Sequence, residues 1–70
     1  MKAYIIVNVA RQINGEFIFV RMEKAFKDDT VAKNYLNSVE SNYKDLVQNS
    51  NGFSVECMCS RGFFEVEVEE

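Results

Sequence analysis

Residues 3–26 read AYIIVNVARQINGEFIFVRMEKAF, and the way this stretch folds decides what the rest of the chain can do. Two β-rich runs, 3–13 and 16–26, flank Asn14-Gly15, a pair that tolerates the positive φ angles of a two-residue type I′ turn. A β-hairpin is therefore expected, with Ile13 opposite Glu16 and partner numbers summing to 29. Residues directly opposite share a face. One face then gathers Ile5, Val7, Val9, Ile13, Ile18, Val20 and Met22, interrupted by Arg11, and this aliphatic set is expected to face the core. The other gathers Tyr4, Ile6, Asn8, Ala10 and Gln12 opposite Ala25, Glu23, Arg21, Phe19 and Phe17. That second face is neither polar nor apolar, so the hairpin carries large apolar side chains on both of its sides.

Downstream, KDDTVAKNYLNSVESNYKDLVQ (27–48) begins with Asp28 or Asp29 as a helix N-cap, acidic charge suiting the positive end of a helix dipole. Ala32, Tyr35, Leu36, Val39, Tyr43, Leu46 and Val47 follow the three-and-four spacing of one buried stripe, which predicts a helix from about Thr30 to Gln48. Asn49 to Gly52, NSNG, would end it. The last stretch, FSVECMCSRGFFEVEVEE (53–70), alternates with period two on both sides of Arg61-Gly62 and is expected to form a second hairpin turning there. Pairing Ser60 with Phe63 would place Glu56 opposite Glu67, which is unfavourable unless a cation or another register relieves it. The fold expected is α+β: a ββαββ two-layer sandwich in one domain, residues 1–70, with an antiparallel sheet of about four strands and one helix on one face.

The chain has 70 residues, 47% of them hydrophobic, with six Phe, three Tyr and no proline. This is close to the lower size at which a chain can bury enough apolar surface to fold alone, so every apolar residue matters. Eight Lys and Arg against eleven Asp and Glu give a net charge of −3, which disfavours phosphate-backbone binding. The N-terminal apolar run AYIIV is far too short for a transmembrane span, and a soluble, cytoplasmic protein is expected. Cys57 and Cys59, two apart on a strand, read as buried thiols and not as a disulfide or metal site. There is no histidine, and the three glycines all sit where turns are expected. No acid–base pair, activated nucleophile or phosphate-binding loop can be assembled from such residues, so neither enzymatic activity nor a cofactor is expected.

One helix covers one side of a sheet only. With the aliphatic faces turned to the helix, Tyr4, Ile6, Phe17, Phe19, Met58 and Phe63 would lie on the uncovered side and Arg21 beside them, a set suited to partner contact. Glu56, Glu65, Glu67, Glu69 and Glu70 form an acidic stripe; Glu65 and Glu67 would assist by steering a basic partner surface, or the stripe would merely guard a sheet edge.

A β-hairpin followed by Lys27-Asp28-Asp29, an amphipathic segment with Tyr35 and Leu46-Val47, and a Val- and Cys-bearing strand ending in Arg61-Gly62 together resemble the Dmd-type antitoxins of T-even-like phages. The resemblance implies a small acidic protein that blocks a host toxin ribonuclease by binding it, in the cytoplasm of a bacterial host. The first expectation is accordingly a non-enzymatic, phage-encoded binding protein that occludes a host defence or toxin protein. The alternative is a homo-oligomer, such as a homodimer, serving as a scaffold or holding a small ligand such as a signalling nucleotide. A third is single-stranded nucleic-acid binding on a platform of Tyr4, Phe17, Phe19 and Arg21, against which the net charge stands.

Overall fold

Asn14-Gly15 forms the first turn. In the computed structural model, which describes residues 1–69 and leaves Glu70 of the acidic stripe outside them, β1 (Lys2–Gln12) and β2 (Phe17–Phe26) pair antiparallel across it. Partner numbers sum to 29 from Val7↔Met22 to Ala10↔Phe19, as expected, and the register shifts by one on either side. The turn itself is longer by a residue. Gln12 N–H donates to Glu16 O and Gly15 N–H to Gln12 O, both at 2.8 Å, and within the turn only Gly15 takes a positive φ, 90°. This is a three-residue loop closed by a left-handed glycine; a type I′ turn would need a positive φ at Asn14 too. Asn14 instead braces the loop, its Oδ1 accepting from Glu16 N–H at 2.9 Å.

The chain continues as α1 (Asp29–Ser38), β3 (Asn42–Gln48) and β4 (Ser54–Glu67), and the four strands form one antiparallel sheet in the order β2-β1-β4-β3. The class is α+β and the order ββαββ, but two elements differ from those expected. Asp28 does cap the helix, its Oδ1 accepting from Val31 N–H at 3.0 Å. The helix then stops at Ser38 instead of Gln48. Ser38, Ser41 and Asn42 have side chains that compete for backbone hydrogen bonds, and Ser38 Oγ donates to Tyr35 O at 2.7 Å at the break. Tyr43 and Val47 are four apart, a spacing that satisfies one face of a helix and one face of a strand alike. They lie opposite Cys59 and Val55 as strand residues, while Leu46 leaves the buried stripe and is exposed on the other side of the sheet.

The second hairpin accordingly turns at Asn49–Gly52, not at Arg61-Gly62. It repeats the first turn: Asn49 N–H donates to Phe53 O at 2.8 Å, Gly52 N–H to Asn49 O at 3.0 Å, and Gly52 has φ 82°. Arg61 and Gly62 lie in mid-strand, opposite Asn8 and Val7. The expected clash of Glu56 with Glu67 does not arise, because Glu56 faces Leu46 and its carboxylate lies 3.8 Å from Lys44 Nζ.

The helix packs on β1 and β2. Fully buried apolar residues are few: Ile6, Ala10, Cys57 and Cys59 on the sheet and Ala32 on the helix. Ile18, Phe19, Tyr43, Val47 and Val55 pack around Ala10 and the two cysteines. The first hairpin is thus turned over relative to expectation. The even-numbered residues of β1 face the helix, and Ile5, Val7 and Val9 point away from it.

Gly52 has no atom within 4 Å of where a Cβ would stand, so substitution there meets only backbone strain. Gly52→Ala should lower stability in urea unfolding by about 1–2 kcal/mol, the cost of a left-handed L-residue. An unchanged midpoint would show that the turn does not hold this conformation.

Candidate interaction surface

Which side of the sheet is left free follows from how the helix is held. Ala32, flush against the strands, lets α1 approach closely, and Tyr35 rests on Phe26 with ring centroids 5.5 Å apart. Beneath it lies a charged cluster. The Glu23 carboxylate accepts from Arg61 Nε at 3.0 Å, from Asn8 Nδ2 at 2.9 Å and from the Tyr35 hydroxyl. The Arg61 guanidinium lies 4.4 Å over the Tyr43 ring and donates to Glu40 O, and Arg61 N–H donates to Ser41 O at 2.8 Å. One arginine therefore ties β4 to β2, to β3 and to the segment joining α1 to β3. Both side chains are mostly shielded, 16% exposed for Arg61 and 19% for Glu23.

Burial alone would push the Glu23 carboxyl up, but hydrogen bonds from Arg61, Tyr35 and Asn8 and the Arg61 charge outweigh it and hold the group at about 2. Glu23 is ionised at neutral pH with both oxygens occupied. That makes a clasp, not a general base. It also accounts for the inverted hairpin: Asn8 Nδ2, Glu23 and Arg61 satisfy one another, and among the described residues Asn8 Oδ1 alone is a buried side-chain polar atom without a partner, so most of the polar groups on the mixed face are paired.

The opposite face is what remains. On it β1 contributes Ala3, Ile5, Val7 and Val9, all half-buried by their neighbours, and β2 contributes Val20, Met22 and Ala25, all exposed. β4 adds Met58, Phe64 and Val66, and β3 adds Leu46, which is 70% exposed. Gly62, opposite Val7, carries no side chain; the Phe64 ring and Val7 close over it, with atoms 3.5 and 3.4 Å from where its Cβ would be. Charge is confined to the margins of this face, in Arg11 and the Lys44–Glu56 pair. Ser60 and Asn42 interrupt the face beside Val9, but the neighbouring aliphatic residues of β1 and β2 with Phe64 and Val66 of β4 form a cluster and are not singly scattered.

The residues proposed as contacts from sequence divide between the two sides. Ile6 is fully buried under the helix. Phe19 is half-buried against the core with the Arg21 guanidinium 4.4 Å over its ring, and Tyr4 stacks on Phe63 at 6.1 Å. Glu65 pairs with Lys2 at 3.4 Å and Glu67 with the N-terminal amine at 3.5 Å. All seven lie on the helix side of the sheet. Only Phe17 and Met58, both opposite Arg11, fall on the outer face. The aliphatic residues Ile5, Val7, Val9, Val20 and Met22, expected from the sequence to face the core, occupy the outer face instead.

Other sites offer less chemistry. Cys57 and Cys59 are free buried thiols, and burial together with Cys59 and Asp45 pushes the Cys57 thiol up, away from the reactive thiolate. Among the described residues no three His, Cys, Asp or Glu side chains converge, and no helix is long and apolar enough to cross a membrane. A cavity of about 410 Å³ opens between the two turns, lined by Gln12, Glu16, Phe17, Ile18 and Asn49 to Asn51. With Glu16 its sole charge, it is unsuited to a phosphate. Compared with protein families, characterised proteins and solved structures, the chain matches none of them.

The clasp has a pH signature. Because the folded Glu23 carboxyl sits at about 2 against an ordinary 4.5, its stabilisation is full above pH 4.5 and is lost as pH falls through 2. It contributes about 1–2 kcal/mol once solvent screening is allowed for. Glu23→Gln should be less stable at pH 7 by that amount and show a shallower fall in stability between pH 4.5 and 2, measured by urea unfolding. Parallel pH profiles for the two proteins would contradict the assignment.

Proposed function

We propose that this protein is a non-enzymatic binding protein that works by laying its outer sheet face against another polypeptide. One observation carries the reading: Ile5, Val7, Val9, Val20, Met22, Phe64 and Val66 form an apolar patch over three strands, with the charges of this sheet face gathered toward the turn end at Arg11, Lys44 and Glu56, and the patch has no cover from its own chain. Apolar, aromatic- and Met-bearing patches of this kind, depleted of charge at their centre, have the composition of protein–protein contact surfaces. The resemblance to Dmd-type antitoxins puts a toxin or defence enzyme of a bacterial host cytoplasm among the surfaces it would occlude. Nucleic acid is the poorer occupant, since Arg11 is the one cation of this face outside an ion pair among the described residues.

Capture from a bacterial host lysate with matched variants tests the reading. Met22→Lys and Phe64→Ser, on the outer face, should lose any protein partner held by the wild type, whereas Tyr4→Ser and Glu65→Lys, on the helix side, should retain it. If a partner is an enzyme, added wild-type protein should reduce its activity and the outer-face variants should not. Loss confined to the helix-side variants would move the site to the opposite surface and sink this account.

A further inference from the structure

The outer face requires cover whether or not a target is present, and the shape of the single chain shows how much. A compact 8.1 kDa protein exposes about 4,500 Å² and has a radius of gyration near ~11 Å. This chain exposes 5091 Å², and its radius of gyration is 13.9 Å, with a thickness of only 17 Å. The excess, about 600 Å², approaches the ~800 Å² per partner that a stable dimer hides.

The edges of the sheet, by contrast, are guarded. β2 carries exposed Arg21 and Lys24 and two register irregularities, and β3 is short, with exposed Lys44 and Asp45. These are the devices that prevent edge-to-edge pairing. Association is therefore directed to the face.

We infer that in the absence of a target the outer face is covered by a second copy of this chain, two sheets stacking face to face around Val7, Val20, Met22 and Phe64. A second copy is the one cover present wherever the chain itself is present. The face also suits self-contact, because its centre holds no charge to meet a like charge across a two-fold axis and its Lys44 is already paired with Glu56. Sheets stacked in this way lie about 10 Å apart, and each closes the other's uncovered side. This inference rests on the reading of the outer face as a contact surface, and it implies that a target must displace the second copy.

Light scattering on the purified chain, combined with thermal unfolding over a wide concentration range, tests it. The expected mass is twice that of the 8.1 kDa chain, with a melting temperature that rises with concentration. Met22→Lys, which would be harmless at a position 62% exposed in a lone chain, should weaken the dimer at least ~100-fold or leave the chain unable to fold. A monomer whose melting ignores concentration overturns the inference. So does a dimer indifferent to Met22→Lys in which the edge amides of β2 or β3 are protected from hydrogen exchange. If the monomer still holds a protein partner through the outer face, only the second copy falls; if that face also binds nothing, the proposed function falls with it.

Discussion

A helix of ten residues is about 15 Å long and about 10 Å wide, and four strands at about 4.8 Å spacing are wider than it can roof even on one side. That mismatch governs this protein. Among the described residues it leaves five fully buried apolar ones as the core of the single chain, two of them cysteines and two alanines. It also makes the helix depend on something stronger than apolar contact. The Glu23–Arg61 pair, with Tyr35, Asn8 and Tyr43 around it, supplies this by joining the helix and all four strands in one cluster.

The polar clasp and the bare aliphatic face are two sides of the same arrangement. β1 is the strand they share, being hydrogen-bonded to β2 on one side and β4 on the other. Of its inward residues, Ile6 is buried under the helix, Asn8 joins the clasp and the small Ala10 packs among the cysteines, whereas its outward residues Ile5, Val7 and Val9 are uniformly aliphatic. A strand that carries large apolar side chains on both of its faces suits cover on both faces. Within the single chain only the helix side is covered. The proposal that another polypeptide supplies the other cover follows from this asymmetry.

The sequence made the first hairpin, its central register, the helix cap and the ββαββ order legible, because each depends on local signals such as Asn14-Gly15, Asp28 and period-two alternation. It did not make the length of the helix legible, since Tyr43 and Val47 fit either period and only their pairing with Val55 and Cys59 decides. Gly62 reads as a turn residue, yet it lies flat in a strand where Val7 and Phe64 fill its space. The orientation of the hairpin is the feature least legible in the sequence. Hydrophobicity alone turns the aliphatic face inward; what reverses it is a bond between Glu23 and Arg61, 38 residues apart, which no local pattern announces. The available hint is that Glu23 is the one acidic residue of β2 and Arg61 the one basic residue of β4.

The proposed contact role requires the aliphatic face to be out of water when the protein is folded. Methyl NMR with a soluble paramagnetic probe reads this directly. With the face covered, as that role requires, the methyls of Ile5, Val7, Val9 and Val20 should be shielded from the probe nearly as well as those of the buried Ile6. Strong broadening of the outer methyls in the folded protein, with Ile6 protected, would show a stable bare face and contradict it.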